Sequence, residues 1–249
     1  MLNGETKLTN KHKTLQNLDV ISNLIKKERA KEYPWGTDFQ GAMYLKEQER
    51  KLGLPKYIRR TGQLDSGRFI VHCQSVEQSL MLMNALEIHA DKTFSRTRCK
   101  EFEANAYDPI SRRVVTLARV FLDDEDEESY YEAFKAIFDT AEKDAGYKIP
   151  WGHLTANNAD SPTGTRIKAI LLDEHGGQIR GLARYFNEKY PVDDEEFHIL
   201  SIVKICKIHY QRSINKLAKV NYHDERHQSI VSLICELTVR VMQPSQSPP

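Results

Sequence analysis

The chain has 249 residues, enough for one sizeable domain or for a domain with a smaller appendage. With 40% apolar and 29% charged residues it has the composition of a globular protein. That excludes a disordered chain, and no apolar run is long enough to span a bilayer. The charge balance of 36 basic against 35 acidic residues decides nothing about a nucleic-acid partner, because only a local patch has to be basic.

The first 14 residues are polar and lack the apolar core of a secretory signal. Four cysteines (Cys73, Cys99, Cys206 and Cys235) are too few for a disulfide scaffold. Both observations point to a reducing compartment, nucleus or cytoplasm, rather than to secretion, and no membrane is expected as a partner. A charged helix is predicted over 15–32, stopped by Pro34, with a turn at 33–36. A second helix is predicted over 39–52, ending at Gly53 and Pro55. A short strand follows over 68–73 and a short helix over 76–84, which completes a helical N-terminal region, 1–84, containing one strand.

From residue 85 the order of elements becomes clearer. Residues 86–91 alternate apolar and polar at the period of a strand. Residues 98–107 alternate more loosely and end at the turn signal Asp108–Pro109, and 113–122 form a third strand. A helix follows, with Tyr130, Phe134, Ile137, Phe138 and Ala141 on one face and Gly146 at its close. The apolar run 167–172, ending in Asp173, fits a strand buried on both faces. Gly176 and Gly177 open a further helix that Pro191 ends, and 197–208 is either a strand or a buried helix. Residues 228–242 read as helical and 243–249 as a disordered tail. Three antiparallel strands and then alternating helices and strands imply an α/β fold, a mixed sheet flanked by helices, in the order of a ribonuclease H-like domain.

Asp91 and Asp173 each end a predicted strand. Carboxylates on neighbouring strand ends would meet at one point, and a divalent cation relieves the repulsion between them. Mg²⁺ takes few carboxylates and keeps waters and substrate phosphates in its other positions. A helix cap or a turn is the plainer account of either aspartate.

The neighbouring residues sharpen the first account. Asp91–Lys92–Thr93–Phe94 resembles the Asp-x-Thr-Phe motif of Mutator-like element transposases. The segment 170–182, with Asp173 and Gly181, is similar to the strand-to-helix segment around that family's second aspartate. Cys206–Lys207–Ile208–His209, with Arg212 beyond it, resembles its Cys-x-x-His motif and trailing basic helix. The resemblance covers about residues 30–225. It implies a DDE-type transposase core over 85–225 of ribonuclease H-like fold, followed by a C-terminal helix and tail over 226–249. It further implies two Mg²⁺ ions and hydrolysis and strand transfer on double-stranded DNA at transposon ends, with a homo-oligomer allowed. Asp91 and Asp173 would be the first two metal ligands, and Thr93, Phe94, Gly181, Cys206 and His209 structural motif residues.

The family's third ligand is a glutamate on a later helix. Glu225 and Glu236 both fall earlier than that position, so no third ligand is assigned and the chemistry is expected to be incomplete. A catalytically silent derivative that binds DNA or protein is the alternative. Arg96, Arg98 and Lys100, with Lys207, Arg212, Lys216 and Lys219, flank the site and either contact phosphates or form solvated surface. Cys206 and His209 lack the second ligand pair that zinc needs, and Cys73 beside His72 suits core packing. The acidic run 123–128 suits a solvated helix start, and Gly176–Gly177 lacks the ending of a phosphate loop.

Overall fold

A computed structural model describes residues 17–36, 38–93, 99–157, 165–173, 175–194, 196–206 and 211. Two helices come first, α1 (Leu18–Glu32) and α2 (Phe39–Lys51), and a hairpin follows, β1 (Ile58–Gln63) and β2 (Phe69–Cys73). Next are α3 (Val76–Met83) and the meander β3 (Glu87–Thr93), β4 (Lys100–Asp108) and β5 (Arg113–Leu122). The chain continues through α4 (Glu127–Ala145), β6 (Ala169–Leu172), α5 (Gly176–Lys189), α6 (Phe197–Ile202) and β7 (Val203–Ile205). All seven strands form one mixed sheet in the order β1-β2-β5-β4-β3-β6-β7. β3, β6 and β7 run parallel, and the remaining pairs are antiparallel. The result is an α/β fold with a mixed sheet flanked by helices, compatible with the ribonuclease H-like order. Among the described residues no helix is long and apolar enough to cross a membrane.

The region before residue 85 contributes two strands rather than the one expected. β2 pairs with β5, so the sheet runs on into the hairpin. The stretch 197–208 resolves into both alternatives in succession, a six-residue helix and then a three-residue strand. The expected C-terminal helix and tail, with Glu225, Glu236, Lys216 and Lys219, lie outside the described residues.

Alternation along the strands creates two unlike faces. Ile88, Ala90, Phe102, Ala104, Val120 and Leu122 are buried against α4 and its neighbours in the main core. α4 is held at both ends by local signals. Asp126 accepts the Ser129 N–H at the start, and Gly146 ends the helix at φ +80°, a conformation that suits a residue without Cβ. Its aromatic face forms a chain of rings. Phe102 and Phe134 meet at 5.2 Å between centroids, Phe138 and Trp151 at 5.1 Å, and Trp151 and Phe186 at 4.9 Å. On the opposite face, β2 turns Val71 and Cys73 towards a small separate cluster under α2, with Phe39 and Phe121 packed against it.

Candidate metal centre

The two aspartates stand on adjacent parallel strands. The β3–β6 register pairs Glu87 with Ala169, Ile88 with Ile170 and His89 with Leu171. Asp91 lies on β3 two residues past its last pair with β6, and Asp173 directly follows the end of β6, so both fall towards the C-terminal end of the parallel pair. On the far side of β6, Leu172 pairs with Ile205 of β7, and the Cys206 N–H donates to the Leu172 carbonyl at 2.9 Å. Cys206 therefore stands one residue past its strand, level with Asp173, and its side chain is half-buried.

Alternation also sets which way β3 points its side chains. Ile88 and Ala90 are buried in the core, whereas His89 and Asp91 are exposed on the other side. An Asp91 carboxylate oxygen accepts the N–H of Lys92 at 2.6 Å. Lys92 returns to the core side, where its ammonium bonds Glu125 at 2.8 Å.

Glu125 belongs to the acidic run read from the sequence as a solvated helix start, yet its side chain is only 19% exposed. Lys92 and Lys100 both pair with it, the latter at 3.1 Å, and His175 Nε2 is 3.9 Å away. Burial pushes the Glu125 carboxyl up, but the hydrogen bonds and charges of Lys92 and Lys100 outweigh it and hold the pKa below the ordinary value. Lys100, expected beside the site, is thus engaged with an acid.

Tyr130 on the first turns of α4 joins these groups. Burial pushes its hydroxyl up to about 12; the Gln178 amide against it opposes the shift, and Glu125, Asp173 and Asp91 add to it. Its ring also packs against His175 at 5.6 Å between centroids. Glu125, His175 and Gln178 are not singled out by the sequence, which marks Tyr130 only as part of the apolar face of its helix. The acidic run was the available signal for the first, and nothing in the spacing marks the others.

Two glycines let α5 approach closely enough to close this end of the molecule. A Cβ on Gly177 would lie 2.7 Å from the Glu125 carbonyl oxygen, and one on Gly181 would lie 2.6 Å from the Tyr131 nitrogen. Any larger residue at 181 would push α5 off the start of α4. This gives Gly181 of the second motif segment a packing role.

Thr93 ends β3. Phe94, Arg96, Arg98, Lys207, His209 and Arg212 lie outside the described residues. Among the described residues no group of three or more His, Cys, Asp or Glu side chains is gathered as a metal would require. None of the family models, curated proteins or solved structures compared with the chain matches it.

Proposed function

We propose that the chain is a DNA-processing domain of ribonuclease H-like fold derived from a Mutator-like element transposase, with incomplete catalytic equipment. The observation that supports it is the placement of Asp91 on β3 and of Asp173 just past β6, its parallel neighbour, both towards the C-terminal end of that pair. In this reading Asp91 and Asp173 hold Mg²⁺, two ions in the intact family. The metal supplies polarisation of a phosphodiester oxygen and a water of lowered pKa. Asp91 holds its carboxylate by the bond from the Lys92 N–H. Lys92 itself is drawn inward by Glu125, which keeps an ammonium away from the cation's position. Arg96, Arg98, Lys207 and Arg212 would contact phosphates of double-stranded DNA and position it without reading its sequence.

A second reading is favoured by the count of acids. Asp91 and Asp173, with no third acid gathered beside them among the described residues, suit a derivative that binds DNA or a protein partner and no longer cuts.

Cleavage of duplex DNA in Mg²⁺, compared between the wild type and Asp173→Asn, tests the first reading. A loss on the order of 100-fold or more is expected. Equal cleavage by the variant would remove the proposed site. Duplex binding that weakens steeply with salt, without cleavage by either protein, selects the second reading.

A further inference from the structure

At the opposite edge of the sheet, a cleft of about 720 Å³ lies between α2, the outermost strand β1 and the C-terminal half of α4. Five basic residues and three acidic ones line it, which leaves a net charge of 5 − 3 = +2. The partners of each group show which charges make up that excess.

Glu47 is taken by Arg50, whose guanidinium donates to both its oxygens at 2.8 and 2.7 Å. Asp144 is taken by Arg59 in the same two-pronged way, at 3.2 and 2.7 Å, and also accepts the Ser79 hydroxyl at 2.6 Å. Glu49 accepts the backbone N–H groups of Tyr57 and Ile58, at 3.3 and 3.1 Å, and so fixes the start of β1. What remains is Lys46, Lys56 and Lys143, none of which forms an ion pair among the described residues while lining this one concavity.

Ordinary helix electrostatics accounts for one of the three. Lys143 lies in the last turn of α4, where a cation suits the helix dipole. Lys46 is in the middle of α2, short of its last-turn cations Arg50 and Lys51, and Lys56 lies outside any helix. Thr61 and Thr140 add hydroxyl donors to the lining. Point charges on flexible stems around a concave surface, with hydroxyls between them, suit a ligand with several anionic oxygens.

We infer that this cleft binds a ligand bearing consecutive phosphates, held by Lys46, Lys56 and Lys143. The ligand is either a free polyphosphate, as in a nucleotide, or a run of phosphodiesters in nucleic acid. The inference does not depend on Asp91 and Asp173, which stand at the other end of the sheet order.

Lysine acylation read by mass spectrometry tests it on the wild-type chain. Tripolyphosphate and a duplex of about 20 base pairs serve as separate protectants. Lys46, Lys56 and Lys143 should be shielded, whereas the exposed Lys26 and Lys27 of α1 should react as before. Protection by tripolyphosphate assigns a free polyphosphate, and protection by the duplex alone assigns nucleic acid. Protection by neither, or equal protection of Lys26 and Lys27, overturns the inference. In the Lys46→Gln/Lys56→Gln/Lys143→Gln variant, with an unchanged melting temperature, affinity for the effective probe should fall at least about 10-fold; the three Lys→Arg changes should retain it. Asp173→Asn should leave the protection pattern intact, so loss of the metal reading and loss of this one are separable.

Discussion

The two faces of the sheet share the same strands and differ in what covers them. One face is sealed by α3, α4 and α5 over a continuous core in which Phe134, Phe138, Trp151 and Phe186 are almost wholly buried. The other carries α2 over a cluster of only three buried residues, Ile58, Val71 and Cys73, with an apolar hollow of about 340 Å³ alongside. On that same face His89 and Asp91 of β3 are exposed. The difference teaches that, among the described residues, apolar burial is concentrated on one side of the sheet.

Truncation of a ring on each side is the widest test of that contrast. Phe138 meets Phe134, Trp151 and Tyr185, so Phe138→Ala should cost about 3–5 kcal/mol in urea unfolding. Phe39 is half-buried and packs chiefly on Phe69, at 4.3 Å between centroids, so Phe39→Ala should cost only about 1 kcal/mol. Equal losses would mean that α2 bears as much of the fold as α4, and the contrast would fail.

The same asymmetry decides what could be read in advance. Elements on the sealed face carried strong signals. The helical spacing of Tyr130, Phe134 and Phe138, with Gly146 behind them, matches α4, and the run ending at Asp173 matches β6. β1 escaped because Ile-Arg-Arg-Thr-Gly-Gln has no alternation. It is an edge strand with one buried residue, and pairing with β2, not local preference, makes it a strand. Residues 197–205 defeated periodicity because a short helix and a shorter strand adjoin within nine positions, too few for either period to emerge. At the candidate centre, the two aspartates were legible because strand ends are local. Glu125 was not, since its engagement with Lys92 and Lys100 joins three separate elements that only the tertiary fold assembles.

A pH titration of stability sharpens the contrast on the sealed side. His72 is fully buried and its Nε2 donates to the Gln74 side-chain oxygen at 2.8 Å. Burial, aided by Arg59 and Arg60 and opposed by the Gln74 bond, lowers its pKa to about 4. His153, beside His198, is lowered to about 4 as well, chiefly by burial. Both are neutral in the fold and take a proton more readily once unfolded. Stability is therefore full above about pH 6.5 and falls as the pH drops from there towards 4, by on the order of 2–3 kcal/mol from His72. Equilibrium unfolding at pH 7 and pH 4.5 measures the fall, and His72→Gln should remove roughly half of it, with His153 carrying the rest. An unchanged slope in that variant would show that the buried imidazole does not carry the effect.

The smallest effect belongs to the exposed side, where Asp91→Asn should change unfolding free energy by less than about 0.5 kcal/mol. The asparagine side-chain oxygen can still accept the Lys92 N–H, so the local bond survives. Removal of one charge also relieves whatever repulsion Asp91 and Asp173 exert on each other towards the C-terminal end of the parallel pair, and any shift should be upward. A scaffold aspartate behaves in the opposite way. One that served mainly as an ion-pair partner would lose about 1 kcal/mol on neutralisation. Thermal or urea unfolding in metal-free buffer thus separates an ion-pairing role of Asp91 from a cation-binding one without any assay of activity. A clear loss of stability would make it part of the framework, whereas a neutral or favourable change is what a residue held for binding a cation should show.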